Sequence, residues 1–262
     1  MRLPRDPWYV NRGFMQPGRK FFAQTIGGLV EQFEIFATAE SLDVLAERME
    51  DAGLWLRLDK NVRPTMVHGA TVTEAEVETL SWIDAKVRLG RVQRIERDRM
   101  ILQRGEIAMQ PETLYVDCTA SALARNVHDT TPVFSPEKIS LQMVRLFQPT
   151  FSAAMVGHIE ACVPDEAEKG ALAQPTSMTD TLDDWLDGQI VSLANQAQWA
   201  RDPRIATWMT QCRLNAFGDL VANVTATDTE RWSLLGRLRK SLGPAMLNLQ
   251  RLAAARARPS SN

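Results

Sequence analysis

The sequence predicts an α/β (α+β) fold with a β-meander in its middle and a largely helical C-terminal third. Three observations carry that prediction. Apolar residues recur at helical spacing from Arg19 to Phe36 and again beyond Leu182. Between Val87 and Val116 the pattern changes to short β-prone runs separated by turns. The run Thr73-Glu74-Ala75-Glu76 spells a capping box, in which a Thr and a Glu three residues apart satisfy each other's backbone donors and so start a helix.

Taken in order, Arg2-Leu3 reads as strand-like and runs into the turn Pro4-Arg5-Asp6-Pro7. The aromatic and basic segment Trp8-Tyr9-Val10-Asn11-Arg12 follows, then a loop with Gly13, Pro17 and Gly18. Phe21, Phe22, Ile26, Leu29, Val30 and Phe33 share the face of a first helix, weakened by Gly27-Gly28. Ser41 is placed to N-cap a second helix carrying Leu42, Leu45 and Met49, with Gly53 as its stop. Leu54 to Leu58 alternates like a short strand, and the Thr73 helix should reach about Asp84.

The meander is expected at Val92 to Ile95, Met100 to Leu102 and Glu106 to Ala108, feeding a buried strand at Leu114-Tyr115-Val116. That strand ends in the small residues Asp117-Cys118-Thr119-Ala120-Ser121. A further strand, Ile139 to Leu146, leads into a helix from about Phe151 to Cys162. Asp165 to Asp187 holds seven acids and one lysine and reads as a solvated loop and helix start. Helix patterns then run to Val221 with a break at Asp202-Pro203. Arg231 to Arg258 has seven bases and no acid, an apolar stripe of Trp232, Leu235, Leu238 and Leu242, and Pro244, which should split the helix. Pro259 to Asn262 should fray.

Composition excludes several classes. A 262-residue chain with 45% hydrophobic and 24% charged residues can build its own core. The net charge of −2 lacks the basic excess of a nucleic-acid binder, so none is expected as partner. No stretch reaches the apolar length of a membrane span, and Met1 to Pro7 lacks the apolar core of a signal peptide. Cys118, Cys162 and Cys212 are odd in number and widely spaced, which fits neither a disulfide framework nor a zinc site. A reducing, cytoplasmic setting is expected.

Chemistry-bearing motifs are few. His68, His128 and His158 show no paired ligand spacing, so no metal is expected. Neither a Gly-x-Ser-x-Gly elbow nor a Gly-x-x-x-x-Gly-Lys-Ser/Thr phosphate loop occurs. Cys118 at a strand end would display a nucleophile or simply pack as a small residue. A buried strand ending in small residues lets a ligand approach its carboxyl end, or makes a tight packing corner. The basic C-terminal stripe would face water, a partner or an anionic lipid surface.

At this point Val92-Gln93-Arg94-Ile95, Met100-Ile101-Leu102 and Thr113 to Ala120 resemble the β-meander and closing strand of two-dinucleotide-binding flavoproteins. These are the flavin-monooxygenase-like and pyridine nucleotide-disulfide-type oxidoreductases. A less well-defined subgroup of NAD(P)/FAD-dependent oxidoreductases is similar in Pro4 to Arg12, Arg63 to Met66, His68 to Val72, Val116 to Ala120 and Phe147 to Ala154 with His158-Ile159-Glu160. The resemblance runs from Met1 to about Asp187. It departs from the family in lacking Gly-x-Gly-x-x-Gly, and in reading Asp117-Cys118-Thr119-Ala120 where the family has an Ala-Thr-Gly-like motif.

The resemblance implies the C-terminal part of such an enzyme, with an incomplete dinucleotide-binding sheet. Residues 1–86 would be a remnant of the nicotinamide-binding region with a helical insertion. Residues 87–162 would be the meander and return into the FAD region, and residues 163–262 a helical C-terminal region. FAD and NAD(P) are the implied cofactors, and hydride transfer from NAD(P)H to FAD the implied chemistry. Arg5 would meet an adenosine 2′-phosphate, or be a surface arginine, and Arg12 would assist. Asp117, Cys118, Thr119 and Ala120 would approach the cofactor. Gln148, Thr150 and Ser152 at a helix N-terminus would contact a flavin carbonyl or pyrophosphate, with Thr150 alternatively a simple N-cap. The Trp8-Tyr9 pair would stack on a ring or pack in the core. No residue stands out as a general acid or base, and the substrate is open. The other implied partner is a chain supplying the missing N-terminal half, or a second copy. The rival expectation is a non-catalytic interaction module that has lost its dinucleotide motifs.

Overall fold

The computed structural model describes residues 1, 3–118, 131–222 and 224–256. The chain is α/β with small sheets and a helical C-terminal third. Its N-terminal sheet has the order β2-β1-β3, built from β1 (Tyr9–Asn11), β2 (Trp55–Leu56) and β3 (Thr71–Val72). β1 runs antiparallel to β2 and parallel to β3, with Val10 opposite Trp55 on one side and Thr71 on the other. Between β1 and β2 lie α1 (Phe22–Thr38) and α2 (Leu42–Asp51), and α3 (Glu74–Ser81) follows β3.

The local signals act as expected here. The Ser41 hydroxyl accepts from the Val44 N–H, Gly53 turns the chain at φ 69°, and both halves of the Thr73–Glu76 box form. The meander is β4 (Val92–Ile95), β5 (Arg99–Leu102) and β6 (Gly105–Ala108), antiparallel throughout. A two-stranded hairpin, β7 (Phe134–Ser135) and β8 (Lys138–Ile139), precedes the helices. These are α4 (Pro149–Cys162), α5 (Glu166–Leu172), α6 (Leu182–Trp199), α7 (Pro203–Gln211), α8 (Ala216–Ala222) and α9 (Thr229–Arg256).

Three apolar clusters hold the elements together. The largest joins α1, α2, β2, α6 and α9 around Trp8, Phe36, Trp55 and Trp185. Trp55 lies edge-on to Trp185 at 5.1 Å and tilted to Trp8 at 5.7 Å, so Trp8 is a core residue rather than a stacking surface. A second cluster packs α4, α5, α7 and the end of α6 around Phe151, Met155 and Trp199. A third seals the start of α1 against α8 and α9. Each fully buried side chain of this size contributes about 1.5–3 kcal/mol.

Several expectations are corrected. Leu114-Tyr115-Val116 forms no strand: it is 85%, 37% and 74% exposed. The strand expected from Ile139 to Leu146 stops at β8, and only the isolated bridge between Met143 and Thr176 follows. A β-prone run forms a strand only where a neighbouring edge takes its hydrogen bonds; the first run meets none among the described residues, and the second meets only the short β7. The acidic stretch from Asp165 is not all solvated loop, because α5 buries Leu172 while Trp185 and Leu186 of α6 enter the core.

Pro244 does not split α9, which runs through it. Lys240, Leu242, Gly243 and Pro244 are all exposed, so water meets the carbonyl that proline leaves unbonded. The bases of α9 find internal partners: Arg237 pairs with Glu34, and Arg256 with Asp183 and Asp187. Arg2, at the start of the expected N-terminal strand, and Pro259 to Asn262 lie outside the described residues.

Candidate functional site

The segment from Asp6 to Asn11 runs beside Thr65 to Val72, bonded through Trp8 N–H to Met66 O and Val10 N–H to Ala70 O, both at 2.8 Å. The backbone between Met66 and Ala70 is then held from the other side by the loop before α6. The Val67 N–H donates to Asp180 O at 3.1 Å, and the Thr179 hydroxyl donates to Val67 O. This clamp sets His68 beside Asp180. His68 Nε2 lies 2.8 Å from Asp180 Oδ1, and the Arg5 guanidinium donates to the same oxygen. The Arg5 hydrogen bond first, then that of His68, hold the Asp180 carboxyl below the usual carboxylate range, against the opposing effect of burial.

Gly69 comes next, at φ 69°, a conformation that favours glycine. A Cβ there would stand 2.6 Å from the Phe147 ring, so the absence of a side chain lets the loop before α4 close onto this ribbon. Phe147 is itself at φ 59°, the left-handed region, among the described residues the one such non-glycine. That turn aims the chain into α4, with Gln148 at the N-cap and Pro149 in the first turn. The Gln148 side chain makes no cap hydrogen bond and the first turn carries no acid. The first-turn N–H groups of Thr150 and Phe151 precede any carbonyl four residues back within the helix, so this end presents donors and the positive dipole end.

Arg5, His68, Asp180, Gly69, Phe147 and Gln148 therefore come from four distant stretches to one corner. Thr150 is exposed and lies inside the helix, so it is not the N-cap. Ser152 faces inward at 1% exposure. Its oxygen accepts from the Val144 and Arg145 N–H groups at 3.1 and 3.2 Å, which spends it on holding the loop. Arg12 sits farther along the ribbon, donating to Thr71 O at 2.9 Å and pairing with Glu76 at 3.3 Å. Asp117 and Cys118 are exposed and follow the unformed strand, while Thr119 and Ala120 lie outside the described residues.

Of the corner's six residues only Arg5 and Gln148 are expected at a site from the sequence; His68, Gly69, Phe147 and Asp180 are not. His68 lacked any spaced ligand partner, and Asp180 was one acid in a run of seven. The available signal was the pair His68-Gly69, a polar side chain next to a residue that permits close approach. Elsewhere, a cleft of about 250 Å³ lined by Arg19, Lys20, Phe22, Asp228, Glu230 and Arg231 mixes acids with bases and takes in no predicted residue. His158 stacks on Trp208 at 4.6 Å with Cys162 Sγ 3.6 Å from its Nε2, and burial pushes that thiol up, away from a reactive thiolate. Among the described residues no three His, Cys, Asp or Glu side chains gather as a metal site, and no helix is long and apolar enough to cross a membrane.

No family model matches the chain. No solved structure matches it either. The chain is 36% identical over 253 residues, 97% of its length, to proteins described as uncharacterized from two strains of Mycobacterium tuberculosis and from Mycobacterium bovis. It spans 47% of the length of those relatives.

Proposed function

We propose that this chain is the C-terminal part of an NAD(P)/FAD-dependent oxidoreductase of the cytoplasm, working with segments like those that fill the other half of its mycobacterial relatives. The observation that supports the reading best is the corner itself. Segments that carry the flavoprotein resemblance, around Arg5, His68 and Phe147, lie far apart in sequence and meet beside an uncapped helix end.

That end suits one polar edge of a flavin: the α4 donors would face a ring carbonyl or a phosphate oxygen, with Gln148 at the rim. FAD, when bound, would supply hydride acceptance from NAD(P)H. The protein's own contribution is orientation: Gly69 and Phe147 fix the entry to α4, and Ser152 ties down the loop behind it. Arg5 is already neutralised by Asp180, so a 2′-phosphate would have to displace that carboxylate.

The second reading, a non-catalytic module derived from a flavoprotein, draws on the absence of any Gly-x-Gly-x-x-Gly from the sequence. The visible spectrum of the purified chain, taken before and after FAD addition and desalting, separates the two. Flavin retained near one per chain, reducible by NAD(P)H, supports the enzyme reading. A well-folded chain that keeps no flavin sinks it as an independent activity and leaves the module.

A further inference from the structure

Leu114-Tyr115-Val116 is a continuous apolar run of the kind that parallel strands show when both their faces are covered. In an extended strand Leu114 and Val116 point to one face and Tyr115 to the other. Here Leu114 is 85% and Val116 74% exposed, and Tyr115 is 37% exposed on the other side. None of the three makes a backbone hydrogen bond to another described residue. They follow a three-stranded meander, β4-β5-β6, whose outer strands they do not join, so their donors and acceptors find no strand partner among the described residues. The second run that the sequence marks as a strand, from Ile139, is paired only at its start: β8 lies against β7 and ends after two residues, with Ile139 45% and Leu141 71% exposed. Leu114 to Val116 thus differs from the Ile139 run in having no strand partner among the described residues.

The relatives supply the occupant. This chain matches 97% of its own length but only 47% of theirs, so the matched part sits in each relative beside a stretch of comparable size. We infer that Leu114-Tyr115-Val116 is a docking strand, and that it adds by backbone pairing to the edge of a β-sheet built by a polypeptide equivalent to the unmatched part of the mycobacterial relatives. Strand addition of this kind takes its affinity from the main-chain ladder, and its specificity from the pockets that receive alternate side chains. An exposed edge-competent run is otherwise an aggregation liability, which the partner strand removes. The inference deepens the partner element of the proposed function and requires no flavin.

The test co-expresses the full chain with the unmatched part of a Mycobacterium tuberculosis relative. It reads the mass of the product by sedimentation velocity, and backbone protection by hydrogen exchange. The expected result is a one-to-one complex in which the amides of 114–116 exchange at least tenfold more slowly than in the chain alone. The double variant Leu114→Asp, Val116→Asp should weaken the complex at least tenfold. Its circular dichroism and melting alone should match wild type, because both side chains are exposed. Leu247→Asp, at an equally exposed apolar residue on α9, should leave the complex intact. No complex on co-expression, a complex indifferent to the double variant, or a homodimer that protects 114–116 would each overturn the inference. Flavin is read separately by absorbance, so a colourless complex supports the docking strand while the oxidoreductase reading fails.

Discussion

Asp180 shows how one carboxylate can organise a corner. It receives Arg5 from the N-terminal turn and His68 from the ribbon, while its backbone carbonyl accepts from Val67. The pair is solvent-accessible, so its worth is modest. Asp180→Asn should cost about 0.5–1 kcal/mol at neutral pH. The folded-state pKa lies below the unfolded value, so this stabilisation is present above the unfolded pKa and is lost as pH falls through the folded one. Denaturant unfolding of the two proteins from pH 7 downward should show the gap narrowing below about pH 4. A gap that stays constant with pH would assign the effect to packing rather than charge. The sequence could not foresee this pairing, since an acid in a run of acids declares no partner. It did show that Arg5 lay in a turn with fixed geometry between two prolines.

At the scale of elements, α1 explains why two adjacent glycines sit inside a helix. A Cβ on Gly27 would meet nothing within 4 Å, whereas one on Gly28 would stand 2.5 Å from the Phe14 ring. The two positions should therefore respond with opposite signs. Gly27→Ala should stabilise by about 0.5–1 kcal/mol, through the lower entropy of the unfolded chain and better helix propensity. Gly28→Ala should destabilise by about 1–3 kcal/mol, because Phe14 must move. Thermal melts of the two single variants check this, and a shared sign would refute the close-approach account. The sequence marked the glycine pair as a weak point in the helix. Only packing distinguished the dispensable glycine from the required one. The same limit applies to Pro244: helix-breaking chemistry was legible, but not that α9 would turn that residue to water.

Across the whole molecule, the N-terminal ribbon and the meander are joined by a buried charge. Asp6 is 4% exposed and accepts two hydrogen bonds from Arg88, at 2.8 and 2.9 Å. Arg88 also reaches Asp59 at 3.1 Å, and its carbonyl accepts from Arg104 at 2.7 Å. Removing the buried member strands the arginine, so Asp6→Ala should destabilise by about 2–3 kcal/mol. Asp59→Ala, at the wetter end of the same network, should cost clearly less. Urea unfolding orders the two, and equal losses would show that burial does not set the value.

The sequence by itself determined what depends on neighbours along the chain: the helix starts at Ser41 and Thr73, the stop at Gly53, the meander, and the apolar faces of α1 and α2. These are local because caps, turns and periodicity act within about one helical turn or one strand pair. It also determined the absence of a phosphate-cradling glycine turn. The tertiary structure alone decided that Asp180 gathers Arg5 and His68, that Ser152 serves the loop instead of a ligand, and that Leu114 to Val116 stays unpaired. Each of these depends on what a distant segment places alongside. A strand exists only when another edge accepts its hydrogen bonds, and no periodicity within the run can supply that edge.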